Sequence, residues 1–155
     1  MIKSTRRTEG EFEQSVLDIS RVARVVAGGK RLSFRATVAL GKRNGHQVGI
    51  GVGKGQDVSQ AIEKAVNDAK KNLIEVPVIN GTIPFEVSAK YQAAQVILKP
   101  AKKGKGIIAG GTVRHILKLA NLTDVTAKML GKTNNPINNS RATLLALKKL
   151  KAVED

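Results

Sequence analysis

The segment Gly104-Lys105-Gly106-Ile107-Ile108-Ala109 has the spacing of a dinucleotide-binding loop, and Asp124 falls twenty residues after its first glycine. In such a loop the glycines let the backbone approach a pyrophosphate, and the acid holds a ribose hydroxyl. The flanking residues argue against a cofactor. Pro100 interrupts the strand that would have to run into the loop, and too little chain follows Asp124 for the further parallel strands that fold needs. Glycines and lysines leading into a helix still offer N–H groups, a dipole and formal charge to a phosphate. That phosphate can equally belong to RNA. Gly49 to Gly55 resembles a Walker loop only in composition, because Val48 stands where its first glycine belongs and Gly55 follows Lys54 in place of Ser or Thr. The two histidines, His46 and His115, have no H-x-x-x-H spacing or carboxylate cluster beside them. Neither a metal site nor a catalytic triad is supported, and no cofactor is expected.

The elements that would position these residues are legible in part. Leu32, Phe34, Ala36, Val38 and Leu40 alternate with Arg31, Ser33, Arg35 and Thr37, predicting a half-buried strand with a polar, basic outer face. Asn44-Gly45 predicts a tight hairpin with both residues at positive φ. In the following strand Val48, Ile50 and Val52 point inward, and Gly49, Gly51 and Gly53 leave one face bare, open to another backbone or a ligand. Upstream, Val16 to Val26 reads as a strand whose alternation slips near Ser20-Arg21, predicting a bulge there. Asp57, with Gln60 three residues on, caps a helix with the apolar stripe Val58, Ile62, Ala65, Val66, Ala69 and Leu73.

The first half is thus expected to be a three-stranded antiparallel sheet with one helix. Val76-Pro77 to Pro84 marks a boundary. Beyond it, strands are expected at Phe85 to Tyr91, Ala94 to Leu98 and Asp124 to Leu130. Helices are expected around Val113, Ile116, Leu117 and Ala120, and after Asn135-Pro136. The expected organisation is a tail over 1–11, one lobe over 12–75 and a second over 76–155.

Charge decides the class of partner. The 155 residues carry 27 Lys+Arg against 12 Asp+Glu, a net +15. From Ile19 to Gln56 there is no acid, but there are Arg21, Arg24, Lys30, Arg31, Arg35, Lys42, Arg43 and Lys54. From Val87 to Thr123 there is again none, with Lys90, Lys99, Lys102, Lys103, Lys105, Arg114 and Lys118. The rest of the chain is balanced. Two acid-free blocks holding the whole net charge point to two phosphate-contacting surfaces, one in each half. With only Phe12, Phe34, Phe85 and Tyr91 as aromatics, and Phe34 in the inward register, a base-stacking sheet is not expected, so phosphate and shape contacts must dominate. The absence of cysteine excludes disulfide scaffolds and thiol chemistry, and agrees with a cytoplasmic protein. No signal or transit peptide and no membrane-length apolar run is seen.

Arg21-Val22-Ala23-Arg24-Val25-Val26-Ala27-Gly28-Gly29-Lys30-Arg31-Leu32-Ser33-Phe34, and then Asn44-Gly45 with Val48 to Lys54, resemble the N-terminal signature of bacterial-type small-subunit ribosomal protein five. Leu98-Lys99-Pro100-Ala101, Gly106 to Gly111 and Asn135 to Thr143 are similar to its C-terminal blocks. The resemblance spans about residues 12 to 150, in order. It implies an α+β protein with an N-terminal double-stranded-RNA-binding-like lobe and a C-terminal α/β lobe of the ribosomal-protein-five second-domain type.

The same resemblance implies a non-enzymatic constituent of the small ribosomal subunit that binds small-subunit rRNA at the body–head junction. It further implies contacts with ribosomal proteins four and eight and with mRNA at its entrance channel, support of translational accuracy, and no homo-oligomer. The loop Ala27 to Lys30 matches the family's extended loop toward the head. The residues expected to bind RNA are Arg21, Arg24, Gly28, Gly29, Lys30, Arg31, Arg35, Lys42, Arg43, Lys54, Lys102, Lys103 and Lys105. Gly106, Arg114 and Lys118 are expected at a protein interface. The sequence departs from the family pattern at Ala27, at Lys42-Arg43, at Gln92 and Gln95, and in the lysine-rich loop Lys102 to Lys105. Its two rivals are a phosphate- or dinucleotide-binding enzyme and a non-ribosomal nucleic-acid chaperone.

Overall fold

The computed structural model describes residues 10–150. The expected tail up to residue 9 and the last five residues lie outside the described residues. Two four-stranded sheets and three helices follow one another along the chain. The first sheet has the order β1-β2-β3-β4, from β1 (Phe12–Val26), β2 (Gly29–Lys42), β3 (Gln47–Gly55) and β4 (Ile74–Glu75). The helix α1 (Val58–Lys71) lies between β3 and β4. The second sheet has the order β5-β6-β8-β7, from β5 (Val87–Tyr91), β6 (Ala94–Pro100), β7 (Ile107–Ile108) and β8 (Val125–Met129). It carries α2 (Gly111–Leu119) and α3 (Pro136–Lys149). This is the expected α+β class, with β4 as a short extra strand. Residue 74 and residue 75 pair with Val48 and Gln47 only, too brief a run to leave an alternating pattern in the sequence.

The local helix signals hold. Asp57 Oδ1 accepts from the Gln60 N–H at 2.8 Å, and Asn135 Oδ1 from the Ile137 N–H at 3.1 Å ahead of Pro136. The stripe of α1 is corrected. Its buried residues are Ala61, Ala65 and Ala69, while Ile62 and Val66 are half-buried and, like Val16, Ile19 and Phe34, pack against the cluster of Ala36, Val38, Ala61 and Ala65. The reason lies in β3. A Cβ at Gly49 would come within 2.6 Å of the Ala69 carbonyl oxygen, and one at Gly53 within 2.5 Å of that of Ala61. At Gly51 it would collide with the Ala65 carbonyl. The glycine face is therefore covered by a helix lying on bare backbone, and no ligand reaches it. Asp68 Oδ2 accepts the Val52 N–H at 3.1 Å, so α1 also closes a donor on the free edge of β3.

The pairing register forces a second correction. Ala36, Val38 and Leu40 sit opposite Gly53, Gly51 and Gly49, hence on the α1 face. Val48 and Ile50 must then face the other side, with Ala39 and Gly41. That side is not solvated along its length. Ala39, Val48 and Ile50 share one buried cluster with Ile83, Val96, Leu98, Val113, Leu117 and Leu147 of the second half. Thr37, expected in the outer face, is fully buried for this reason, as is Ala39 on the same side. The two lobes share a core.

Two local expectations also move. The bulge lies between Val16 and Asp18, not at Ser20-Arg21, and the extra residue Leu17 packs against the shared core. Arg43-Asn44-Gly45-His46 is a four-residue connection closed by the Gly45 N–H to the Lys42 carbonyl, and neither Asn44 nor Gly45 has a positive φ. Leu32, expected inward, is 48% exposed because the hairpin there has run past both β3 and α1.

The helix–sheet contact is testable. Gly51→Val should destabilise the protein by about 3 kcal/mol or more, the upper range of overpacking, because rigid backbone must move. Gly28→Ala, with nothing within 4 Å and no positive φ, should stay within about 0.5 kcal/mol. Urea unfolding of both variants measures the contrast.

Candidate nucleic-acid interface

β3 supports β2 only from Phe34 to Gly41. Outward of Phe34 the first hairpin continues alone, from the pair Arg21–Phe34 to the pair Val26–Gly29, a ribbon roughly 20 Å long. Ala27-Gly28 make the turn, and Gly29 follows at φ 135, where a side chain would be strained. Gly28 has ordinary angles, so only one of the two glycines is conformationally required. Gly29, Lys30 and Arg31 are strand residues rather than loop.

On one face of this ribbon Arg24 lies directly opposite Arg31; two same-face rows further inward, where β3 has joined, Arg35 lies between Ser20 and Lys54. Lys30 and Arg21 are on the other face. Like charges directly opposite in a sheet repel, by a few tenths to about 1 kcal/mol per pair. Among the described residues none of these cations is in an ion pair. An arrangement that repels itself is relieved by an external polyanion.

Lys42 and Arg43 sit at the opposite end of the same strands, so the first acid-free block is split between two places. There α2 meets β2. A Cβ on Gly41 would strike the Leu119 carbonyl, and Asn121, in the left-handed region at φ 59, donates through Nδ2 to the carbonyls of Lys42, Arg43 and Gly45. His46 Nδ1–H donates to the Ala120 carbonyl at 2.9 Å. This histidine ties the lobes together, a part its isolated position in the sequence does not reveal. Lys118 is exposed beside this junction.

The glycine–lysine loop is built around Asp124. Asp124 Oδ1 accepts the Gly106 N–H at 2.9 Å, and its Oδ2 takes the Thr123 hydroxyl at 3.1 Å. The acid that spacing made a candidate ribose ligand is thus the loop's own internal anion. The Gly106 N–H, read as a phosphate donor, is already used. α2 begins five residues later, at Gly111, after the β7 pair. β7 and β8 are the only parallel neighbours among the described strands, which removes the dinucleotide fold. Lys102, Lys103 and Lys105 remain exposed, and so does Arg114 on α2.

One basic surface escaped sequence reading. A space of about 510 Å³ between the lobes is lined by Lys71, Arg141 and Lys148 together with Val52, Tyr91 and Leu144. Arg141 Nη1 donates to the Tyr91 hydroxyl at 3.0 Å, with the guanidinium 5.6 Å from the ring centre. These cations come from segments whose charges balance along the chain.

The architecture and its self-repelling ribbon define a class, the basic two-lobed α+β binding proteins. Residues 12–77 match the family model for ribosomal protein S5, N-terminal domain, and residues 89–155 match that for the C-terminal domain. The small ribosomal subunit protein uS5 of Thermotoga neapolitana is 53% identical over 140 residues, covering 90% of this chain and 78% of that protein. The uS5 protein of Persephonella marina is 48% identical over 153 residues, covering 99% of this chain and 78% of that one. The chain belongs to the ribosomal protein S5 family, and is accordingly a structural, non-enzymatic constituent of the small ribosomal subunit. Among the described residues no helix is long and apolar enough to cross a membrane.

Asp124 supplies a pH test. The Gly106 N–H bond, against an opposing effect of burial, and then the Thr123, Gly104 and Lys105 donors, hold its carboxyl below the usual 3.8. A lowered native value means its contribution is complete above that ordinary value and is lost as pH falls through the lowered one. Amide exchange at Gly106 should therefore be protected equally at pH 5 and 7 and weaken in acid below about 4. Asp124→Asn should show the weakened protection already at pH 7.

Proposed function

We propose that the protein binds small-subunit rRNA at the body–head junction, with the β1–β2 ribbon extending toward the head. The observation that supports this reading best is the ribbon itself: cations with no partner among the described residues, on a two-stranded extension that no part of the described chain covers. Arg21, Arg24, Lys30, Arg31, Arg35 and Lys54 form the ribbon's contribution. Lys102, Lys103 and Lys105 form a second contact on the C-terminal lobe, and Lys42 and Arg43 a third. In this reading Gly106, Arg114 and Lys118 meet ribosomal protein four, and a further surface meets ribosomal protein eight. The ribbon side lies near mRNA at its entrance channel, and the protein works in the cytoplasm with lobes divided near residues 75 and 76.

A tagged copy should co-sediment with small subunits in a sucrose gradient. If six to eight cations neutralise phosphates, log K for rRNA should fall with log salt at a slope of about −4 to −7. A slope near zero rules out the electrostatic interface. Equal affinity for arbitrary duplex, without co-sedimentation, makes the protein a nucleic-acid chaperone instead.

Arg114 tests the accuracy role. It is exposed on α2, opposite the buried Val113, Ile116 and Leu117. Arg114→Leu should change stability by no more than about 0.5 kcal/mol. A guanidinium at the interface makes bidentate bonds to a carboxylate that leucine abolishes. Near-cognate misreading should therefore rise in a strain carrying only this variant. Wild-type error rates with normal assembly would show that Arg114 is only solvated.

A further inference from the structure

We propose that Ser20, Arg35 and Lys54 form a subsite for a single RNA phosphate, gripped side-on by Arg35 through Nε–H and Nη–H. The inference rests on the rRNA-binding reading and assigns one contact within it. The pairing register places these residues in one row across β1, β2 and β3, and residues directly opposite share a face. Lys54 is exposed, while Ser20 and Arg35 are half-buried. Two cations are thus neighbours at roughly 5 Å between Cβ atoms, with a hydroxyl on the other side.

Two independent features show that this row is incomplete without an anion. First, the acid in the adjoining row of the same face does not serve it. Asp18 lies one row inward, opposite Thr37, and its Oδ2 accepts the Ser20 hydroxyl at 2.9 Å. Among the described residues neither Arg35 nor Lys54 is in an ion pair. Second, Arg35 Nε is buried with no hydrogen-bond partner, and the Thr37 hydroxyl beside it is also without one, so neither satisfies the other. A buried donor left without an acceptor is a net penalty on the free protein.

One phosphate answers both features. Turning the guanidinium outward brings Nε–H and one Nη–H to a common edge, the planar fork that takes two oxygens in parallel bonds. Lys54 then neutralises the same group as a point charge. Ser20 can direct its hydroxyl to a phosphate oxygen in place of Asp18. Lysine at position 35 would keep the charge and lose the fork.

The test uses the full chain and a small-subunit rRNA transcript at about 0.15 M salt, with thermal unfolding of the free protein measured alongside. Arg35→Met should weaken RNA binding about tenfold or more while leaving the free protein's midpoint unchanged or higher. Arg35→Lys should lose most of the same affinity. Lys54→Gln should weaken the wild type several-fold but change the Arg35→Met background less than twofold, because both residues act on one phosphate. Wild-type affinity in Arg35→Lys, losses that simply multiply in the double variant, or a lowered midpoint in Arg35→Met would each overturn the subsite. Failure of the wild-type protein to bind the transcript in a salt-dependent way would instead overturn the rRNA-binding reading beneath it.

Discussion

Bare backbone on one face of β3 is the constraint from which the rest of the molecule follows. The carbonyls of Ala61, Ala65 and Ala69 approach Gly53, Gly51 and Gly49 more closely than any side chain would allow. With those positions emptied of side chains, β3 contributes apolar volume from the opposite face, where Val48 and Ile50 are buried and Val52 half-buried. They need a second cover, and the C-terminal lobe supplies it through Ile83, Leu98, Val113 and Leu147. A sheet buried on both faces in its lower half has no basic face there. Its exposed cations are accordingly displaced to the parts of the strands that extend past the covers.

Polar ties fix the lobes where the apolar core alone would leave freedom to slide. Asn121 gathers three carbonyls of the β2–β3 connection, and His46 holds the end of α2. Directional bonds of this kind specify a single arrangement, while the shared core supplies most of the burial. Asp124 does the same on a smaller scale, turning a flexible glycine–lysine loop into a fixed platform with its cations outward.

What was legible in the sequence divides along physical lines. The caps at Asp57 and Asn135 depend on neighbours in the chain and stand where sequence placed them, as do the strands expected at Ala94 to Leu98 and Asp124 to Leu130, except that β6 runs on through Pro100, which pairs with Val125 and does not interrupt the strand. The burial of Thr37 and Ala39 depends on a lobe that follows much later in the chain, so strand alternation could not report it. Leu17 illustrates the same limit. The slip at Ser20-Arg21 reflects a ribbon with no core to enforce alternation, whereas the real bulge turns an apolar residue into the shared core, where the pattern looks regular. Acid-free runs exposed the ribbon cations, because charge segregation along the chain survives folding. Arg141, Lys71 and Lys148 were hidden because the fold, and not the sequence order, collects them. The positive φ of Asn121 carries the one signal that was missed, an asparagine just past a helix end, where such residues commonly close the last turn.

The ribbon also bears on the fate of chains made in excess of RNA. Val25 is 77% exposed and Leu32 48%, on a two-stranded element whose outer edges have no strand beside them among the described residues. Such an edge is a template for strand addition by a second chain. Lys30, Arg21, Arg24 and Arg31 alternate with these apolar residues and act as gatekeepers, since two ribbons cannot align without opposing rows of positive charge. The same charges are neutralised when a polyanion is bound. Newly made protein mixed with too little RNA would lose its electrostatic protection before its edges were covered. Solubility of the orphan chain should therefore pass through a minimum at substoichiometric RNA, a consequence of the geometry of one hairpin.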